Sequence, residues 1–421
     1  MDCDSDSCGL AITPRRARLR AMRRQLPCVL VALVIALFAL ACSKPDAQDP
    51  APAASSGAAT LGSASAEPAA DPAVIAEAQH QIDLAYAGTD REPPTTAQKV
   101  PKGKKVWIIS PSQIGESASV ATNAAKEAGE LVGWKMTLFD AKGDPAAFSA
   151  GIRQAIAAKA DGIILHAIDC AWVKQALVEA QAAKVKVLAY YALDCDDPSV
   201  KGEPLYSGSV NFGSQFGDYA TVTRAWGAVK ADWVIVKTQA KAKVISFKED
   251  ELLVVKYIRE GFEQELAKCK TCEVVKEVDF TIPDFGPKLQ QKAQGALLQH
   301  PEANAIHVPY DTPMLLGIAN AVMESGRNDQ LSVIAGEGFP SNVQLIRDNR
   351  GQDAANAFPA VWTGYAAVDS LISVFNGQKP QDSGEGWKLI DKDHNLPAPG
   401  KGYESAKDFR TAYKKDWGVL K

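Results

Sequence analysis

Residues 104–141 read "KKVWIISPSQIGESASVATNAAKEAGELVGWKMTLFDA". A short run of β-branched and aliphatic residues (105–110) is followed by a stretch with apolar residues three and four apart (115–134). A second short apolar run (135–141) comes after it. That is strand, amphipathic helix, strand. The unit continues with a helix through Phe148, Ile152 and Ile156, then strands at "DGIILHA" (161–167) and "VKVLAYY" (185–191) around a helix at 171–183. Near-continuous Val/Ile/Leu strands separated by such helices predict a parallel sheet covered on both faces, with right-handed crossovers. The pattern restarts at "AKVISFK" (242–248) and runs through "LSVIAGE" (331–337). One open sheet does not easily hold so many strands. We therefore expect an α/β protein of two doubly wound parallel-sheet lobes joined by a hinge. Ligands of such sheets bind beyond the carboxyl ends of the strands, so the site belongs in the cleft between the lobes.

Working outward, 421 residues with 46% hydrophobic and 23% charged content fit about two ordinary globular domains. The formal net charge is -4, and it becomes -7 without residues 1–41, which hold six arginines and three aspartates. A mildly acidic chain without a basic run argues against nucleic-acid binding. Residues 1–41 read as a signal peptide, with arginines ahead of the apolar run "VLVALVIALFALA" (29–41). Met22 opens a signal of ordinary layout, so residues 1–21 read as an over-extended start. The run ends "ALAC", which resembles a lipobox and implies acylation of Cys42. Residues 42–73, rich in Ala, Ser, Pro and Gly, read as a disordered tether. The expected location is the periplasm, with a lipid anchor to the membrane.

Residues 74–103 form a helical strut and linker, with helical spacing through Ile75, Ala78, Ile82 and Ala85. The remaining divisions are an N-terminal lobe at 104–240, a C-terminal lobe at 241–357, a returning crossover and N-lobe helix at 358–380, and a C-terminal segment at 381–421. Beyond Cys42, the exported chain holds Cys170, Cys195, Cys269 and Cys272. An even number in an oxidising compartment favours disulfides. "CKTC" (269–272) has no second metal-ligand pair and reads as a structural bridge. Cys170 and Cys195 follow adjacent strands at similar offsets, which suits a bridge at the cleft rim. The five histidines show no ligand spacing, so no metal or cofactor is expected. No GxSxG, P-loop or GxGxxG occurs, and no enzymatic activity is expected. Asp169 reads as a helix-entry residue, Asp311 as the N-cap of a helix over 312–325, and His307 as a packed strand residue.

The run 104–191, with "GFEQEL", "NAIHVPYDTPMLLGIANAVMESG" and "LSVIAGEGFPSNVQLIRD", resembles type I periplasmic binding proteins, the ribose-binding-like group that serves ABC importers. The resemblance covers about residues 104–375. It implies two lobes that close over one solute and present it to a permease, or to a membrane receptor in a sensing role. The protein would act as a monomer. It also implies where ligand contacts should lie: Gln113 and Glu116 in "QIGES", His166, Tyr191, Asn211, Phe280, Tyr310, Glu337 and Trp362. Most differ from the polar set that grips a small sugar in the family. Glu116 and Ser117 stand where stacking aromatics occur, Ile258 replaces an arginine, and Tyr310-Asp311 replaces an Asn-Asp pair. Losing such hydroxyl-binding groups costs about 1.5–3 kcal/mol each. The expected ligand is therefore larger or less polar than a simple sugar: an apolar or aromatic compound, a lipid, or a modified carbohydrate.

Overall fold

A computed structural model describes residues 70–420. The signal peptide, Cys42 and all but the last residues of the tether lie outside the described residues.

The chain begins with α1 (Pro72–Ala87), whose start is set by Asp71, its carboxylate accepting from the Ala73 amide at 2.9 Å. The first lobe follows as β1 (Lys105–Ser110), α2 (Glu116–Leu131), β2 (Lys135–Asp140), α3 (Pro145–Ala157), β3 (Gly162–His166), α4 (Cys170–Ala182), β4 (Lys186–Tyr190) and the short β5 (Gly208–Ser209). These strands form a five-stranded sheet in the order β2-β1-β3-β4-β5, parallel throughout. Alternation along each strand divides its side chains between two cores. Val106 and Ile108 pack with Ile164 and Leu188 on one face, whereas Ile109 joins Ile163, Leu165 and Val187 on the other.

The chain then crosses over. α5 (Tyr219–Lys237), β6 (Lys243–Lys248), α6 (Leu253–Leu266), β7 (Glu273–Asp279), α7 (Pro287–Gln299) and β8 (Ala305–His307) open the second lobe. Next come a single turn α8 (Asp311–Pro313), a π-turn at 314–318, α9 (Ala319–Glu324), β9 (Ser332–Glu337), α10 (Pro340–Arg347) and β10 (Ala354–Ala357). α11 (Ala360–Phe375) crosses back onto the first lobe, β11 (Lys388–Asp391) returns to the second sheet, and α12 (Phe409–Asp416) ends on the first lobe beside α11. The second sheet runs β11-β10-β9-β8-β6-β7 and is parallel except for the edge strand β11. The fold is thus two parallel α/β sheets of the expected class.

Helical periodicity alone cannot say which sheet a helix covers. α5 falls within the stretch 104–240, yet it packs on α6, β9 and β10 of the second lobe. The strut α1 also lies on the second lobe, against α5 and β11, with Ala78, Ile82 and Ala85 buried. From there residues 88–98 run back to the first lobe, and the backbone pairs Thr89 with Trp387 and Arg91 with Gly384 on the way. Among the described residues there are two disulfides, Cys170–Cys195 between the start of α4 and the loop after β4, and Cys269–Cys272 between α6 and β7. Among the described residues, no helix is long and apolar enough to cross a membrane.

Candidate ligand-binding cleft

The carboxyl ends of both sheets face each other across a closed cleft. Ser117, in the first turn of α2, donates to the Glu337 carboxylate at the end of β9, and the Thr312 hydroxyl donates back to Ser117 at 2.8 Å. Farther along, the Trp172 indole donates to the Glu251 carbonyl at 2.9 Å, and the Leu253 amide donates to Asp169 at 2.8 Å. The Tyr257 hydroxyl reaches Asp197 at 2.6 Å. Each of these bonds joins one lobe to the other.

Between them lies a cavity of about 150 Å³, of the size that accepts a small organic molecule. The first lobe supplies Pro111, Ser112, Ile114, Gly115, Ser117 and Ala118 with His166 and Tyr191; the second supplies Leu252, Val254, Val255 and Ile258 of α6 and its preceding loop, with Ile282, Phe285 and Tyr310. The crossovers and the start of α5 add Phe212, Phe216, Tyr219, Trp226, Phe358, Glu385 and Trp387. The aromatic side chains form a continuous group. Tyr191 lies 5.1 Å from Phe358, 5.9 Å from Phe212 and 6.4 Å from Tyr219, and Trp226 lies 5.7 Å from Phe358. Such a wall supplies apolar area with hydroxyl and indole handles.

Four of the nine residues picked from sequence line this cavity: His166, Tyr191, Tyr310 and Glu337. Tyr191 hydrogen-bonds Thr363 at 2.5 Å, and Tyr310 donates to the buried Glu249 at 2.5 Å. The other five lie elsewhere. Gln113 turns inward to Ser110 at 2.7 Å and Thr122 at 3.1 Å. Glu116 bridges the lobes by accepting from the Ser341 amide at 3.2 Å. Asn211 accepts from Gly213 at 2.9 Å, and its backbone pairs with Asp382 in the crossovers. Phe280 is buried in the second lobe's core, and Trp362 stacks on Phe409 at 5.3 Å inside the first.

Two capping expectations need correction. Asp311 is not an N-cap: Tyr310 occupies that position, and the Asp311 carboxylate accepts from the Phe339 amide at 3.0 Å. Its own amide is taken by Glu337 at 2.9 Å, and the helix is interrupted at Gly317, φ +149°. Asp169 does hold the N-cap position of α4, but its carboxylate serves the Leu193 and Leu253 amides instead of its helix. His307 packs as expected, stacked on Phe262 at 3.9 Å.

A signal for some of the missed residues was present. Phe212, Phe216 and Tyr219 recur three and four apart, and Tyr219, Val222 and Trp226 share one face of α5. Glu385 and Trp387 had only the unusual run Gly-Glu-Gly-Trp at 384–387 to mark them.

A family profile described as "Periplasmic binding protein domain" matches residues 107–379, nearly two thirds of the chain. The chain belongs to the periplasmic binding protein family. As a periplasmic binding protein it is a binder and not an enzyme. Among solved structures, an ABC sugar transporter subunit from Rhodobacter sphaeroides is 19% identical with a TM-score of 0.59, covering 70% of this chain and 99% of its own. A 5-methylthioribose transporter solute-binding protein from Thermotoga lettingae, in complex with 5-methylthioribose, is 17% identical with a TM-score of 0.61, covering 76% and 99%. An ABC transporter solute-binding protein from Agrobacterium vitis with bound allitol is 18% identical with a TM-score of 0.60, covering 69% and 96%. At these identities the likeness is one of fold. No curated protein matches the chain.

The cleft is rich in buried acids. Burial pushes Glu249 and Glu385 up to about 8 and Glu337 and Asp169 up to about 7, and it does the same to Asp232 outside the cleft, to about 8. A carboxyl raised on folding favours the folded state fully below its ordinary value near 4, and that advantage is lost as pH rises through the raised value. Buried bases act the other way. Burial lowers His166 to about 3 and His307 well below its ordinary value, which matters only below about 6.5. Lys230, lowered by burial to about 7, favours folding increasingly above that pH. Between pH 6.5 and 8.5 the five acids outweigh the one lysine. The melting temperature is therefore expected to fall across this range by about 3 °C or more in a thermal scan. A melting temperature that rises from pH 6.5 to 8.5 would contradict this balance.

Proposed function

We propose that the protein is the solute-binding component of an ABC import system, anchored by lipid at Cys42 to a membrane facing the periplasm. It traps one small molecule between its lobes and presents it to a permease. The observation that carries this reading is the aromatic cavity enclosed jointly by both lobes and their crossovers. A solute there touches both lobes at once, so it stabilises the closed form over the open one, as a trap requires. The importer role draws support from the solved relatives described as ABC transporter components.

We infer that the solute is less polar than a pentose or hexose. Most of the second-lobe wall is built from Leu252, Val254, Val255, Ile258, Ile282 and Phe285, whose side chains cannot bond a hydroxyl, with Tyr310, Thr312 and Glu337 as its polar members. Polar groups are few, and Ser117 and Glu337 already bond each other. An apolar or aromatic compound small enough for the cavity fits this wall best. A modified carbohydrate is the second reading, favoured by the neighbour that binds 5-methylthioribose, a sugar bearing an apolar substituent. Mass spectrometry of compounds released from protein purified without refolding tests both. An apolar, aromatic or alkyl-substituted compound is expected; a plain pentose or hexose at stoichiometric amount contradicts the proposal.

A further inference from the structure

Glu385 stands out among the cavity's polar groups. Its residue is 3% exposed, and it lies on the cavity wall in the crossover after α11. One carboxylate oxygen accepts from the Thr363 hydroxyl, which is also bonded to Tyr191. The other, Oε1, has no hydrogen-bond partner, as is true of His166 Nδ1 and Trp226 Nε1 on the same wall, while the Ser383 hydroxyl also acts on the Glu385 carboxyl. A buried acceptor left open costs free energy unless something absent from the protein meets it. The second carboxylate of the wall differs: Glu337 is held by Ser117 and the Asp311 amide, with the positive charge of Lys230 acting on it.

The surroundings say what would meet Glu385. No lysine or arginine lines the cavity among the described residues. Arg91, whose charge reaches Glu385, is committed to Asp382 at 2.5 Å and to the Phe212 carbonyl at 3.0 Å. An anionic solute would thus face a carboxylate with no compensating cation. The charge of Glu385 acts on Tyr191 and Tyr219, and the same cavity holds Phe212 and Phe358; the ring centroids of Phe212, Tyr219 and Phe358 lie 5.1–6.4 Å from that of Tyr191. Ring faces attract positive charge through their quadrupoles, most strongly where water is excluded. A neutral solute would use these rings only as apolar area and would leave the Glu385 carboxyl in its protonated form.

We propose that the solute carries a cationic amino group on an apolar or aromatic body, with the ammonium seated against the Tyr191–Phe212–Tyr219 rings and paired with Glu385 Oε1. This rests on the reading of the cleft as a trap for a weakly polar solute, and it narrows that class to amines. The carboxylate comes from residue 385, beyond the stretch 107–379 that the family profile matches. Burial holds Glu385 up at about 8, and a bound ammonium returns it to the ionised form.

The test is calorimetric titration of the purified protein and of Glu385→Gln with phenylalkyl amines of one to four methylenes and the matching neutral alcohols. The wild type is expected to bind the best amine at least about tenfold tighter than its alcohol, the discrimination expected of a hydrogen bond to a charged group. Glu385→Gln should abolish that preference by weakening the amine about tenfold or more, while the alcohol changes by less than about threefold. Should the variant fail to fold, the amine-to-alcohol ratio of the wild type decides alone. Alcohols that bind as tightly as amines, or the absence of binding by every amine, overturn the proposal. If neutral apolar probes still bind in that case, the weakly polar reading stands. If only plain sugars bind, both fall.

Discussion

Replacing either Gly227 or Gly261 with alanine is expected to destabilise the protein by about 3 kcal/mol or more, at the upper end for an overpacked core. α5 and α6 meet backbone to backbone at these two residues. A Cβ on Gly227 would stand 2.0 Å from the Ile258 carbonyl oxygen, and one on Gly261 would stand 2.0 Å from that of Arg224. Both obstructing atoms belong to helix backbone and cannot swing aside as a side-chain tip could. The helices would have to part, opening space around Trp226, Val255 and Phe262 in the same core. Because Trp226 and Ile258 also line the cavity, ligand affinity should fall with stability. Gly295 in α7 is the control: a Cβ there meets nothing within 4 Å. Its replacement by alanine should stabilise by about 0.5–1 kcal/mol, since alanine restricts the unfolded chain and favours helix. Denaturant midpoints followed by circular dichroism measure all three. A Gly227→Ala midpoint equal to that of the wild type would rule out the close approach of α5 and α6.

Lys230→Met should cost a similar amount, about 3 kcal/mol, for an electrostatic reason. Lys230 is fully buried; its ammonium donates to the Pro309 carbonyl at 2.7 Å and sits 3.8 Å over the Trp226 ring. It is the positive charge acting on Asp311 and Glu337, two carboxyls raised by burial, the first also by the charge of the second. Methionine keeps the volume and the packing but leaves two acids without a cation, a situation proteins escape by taking up protons or unfolding. Both acids should therefore shift further upward, and the loss of stability should be greater at pH 8 than at pH 6. Adding Glu337→Gln to Lys230→Met should recover part of the loss, because one of the two stranded charges is gone. A double variant no more stable than the single one would show that the lysine acts mainly through Pro309 and Trp226.

The sequence carried the sheets well and the cleft only in part. Val106, Ile108 and Ile109 announce a strand buried on both faces, and that pattern, repeated in two runs, is enough for two parallel α/β lobes. The lobe to which α5 belongs was not written in its periodicity. The deciding feature is Gly227 meeting Gly261, a contact between residues 34 positions apart. In the cleft, Tyr191, Tyr310, His166 and Glu337 stand on the cavity wall because each ends a strand or lies within three residues of its end, where side chains of such sheets converge. Phe280 also follows a strand, yet it turns into the core. Trp362 was ambiguous because a large aromatic suits a cleft and a core equally; here it is fully buried against Phe409. Glu385 and Trp387 could not be placed at all. They reach the cavity only through the pairing of residues 384–387 with 89–91 and the addition of β11 to the second sheet.

The central claim is that this cleft traps a solute less polar than a simple sugar. Its most direct measurement is a thermal-shift titration of the purified protein with plain pentoses and hexoses against small apolar, aromatic and amine-bearing solutes. A ligand that binds only the folded, closed form raises the melting temperature with the logarithm of its concentration once this exceeds the dissociation constant. The account predicts a rise that grows with concentration for at least one weakly polar solute and no shift with the plain sugars at the same concentrations. Such a rise with an unmodified pentose or hexose, and none with the weakly polar set, would contradict it.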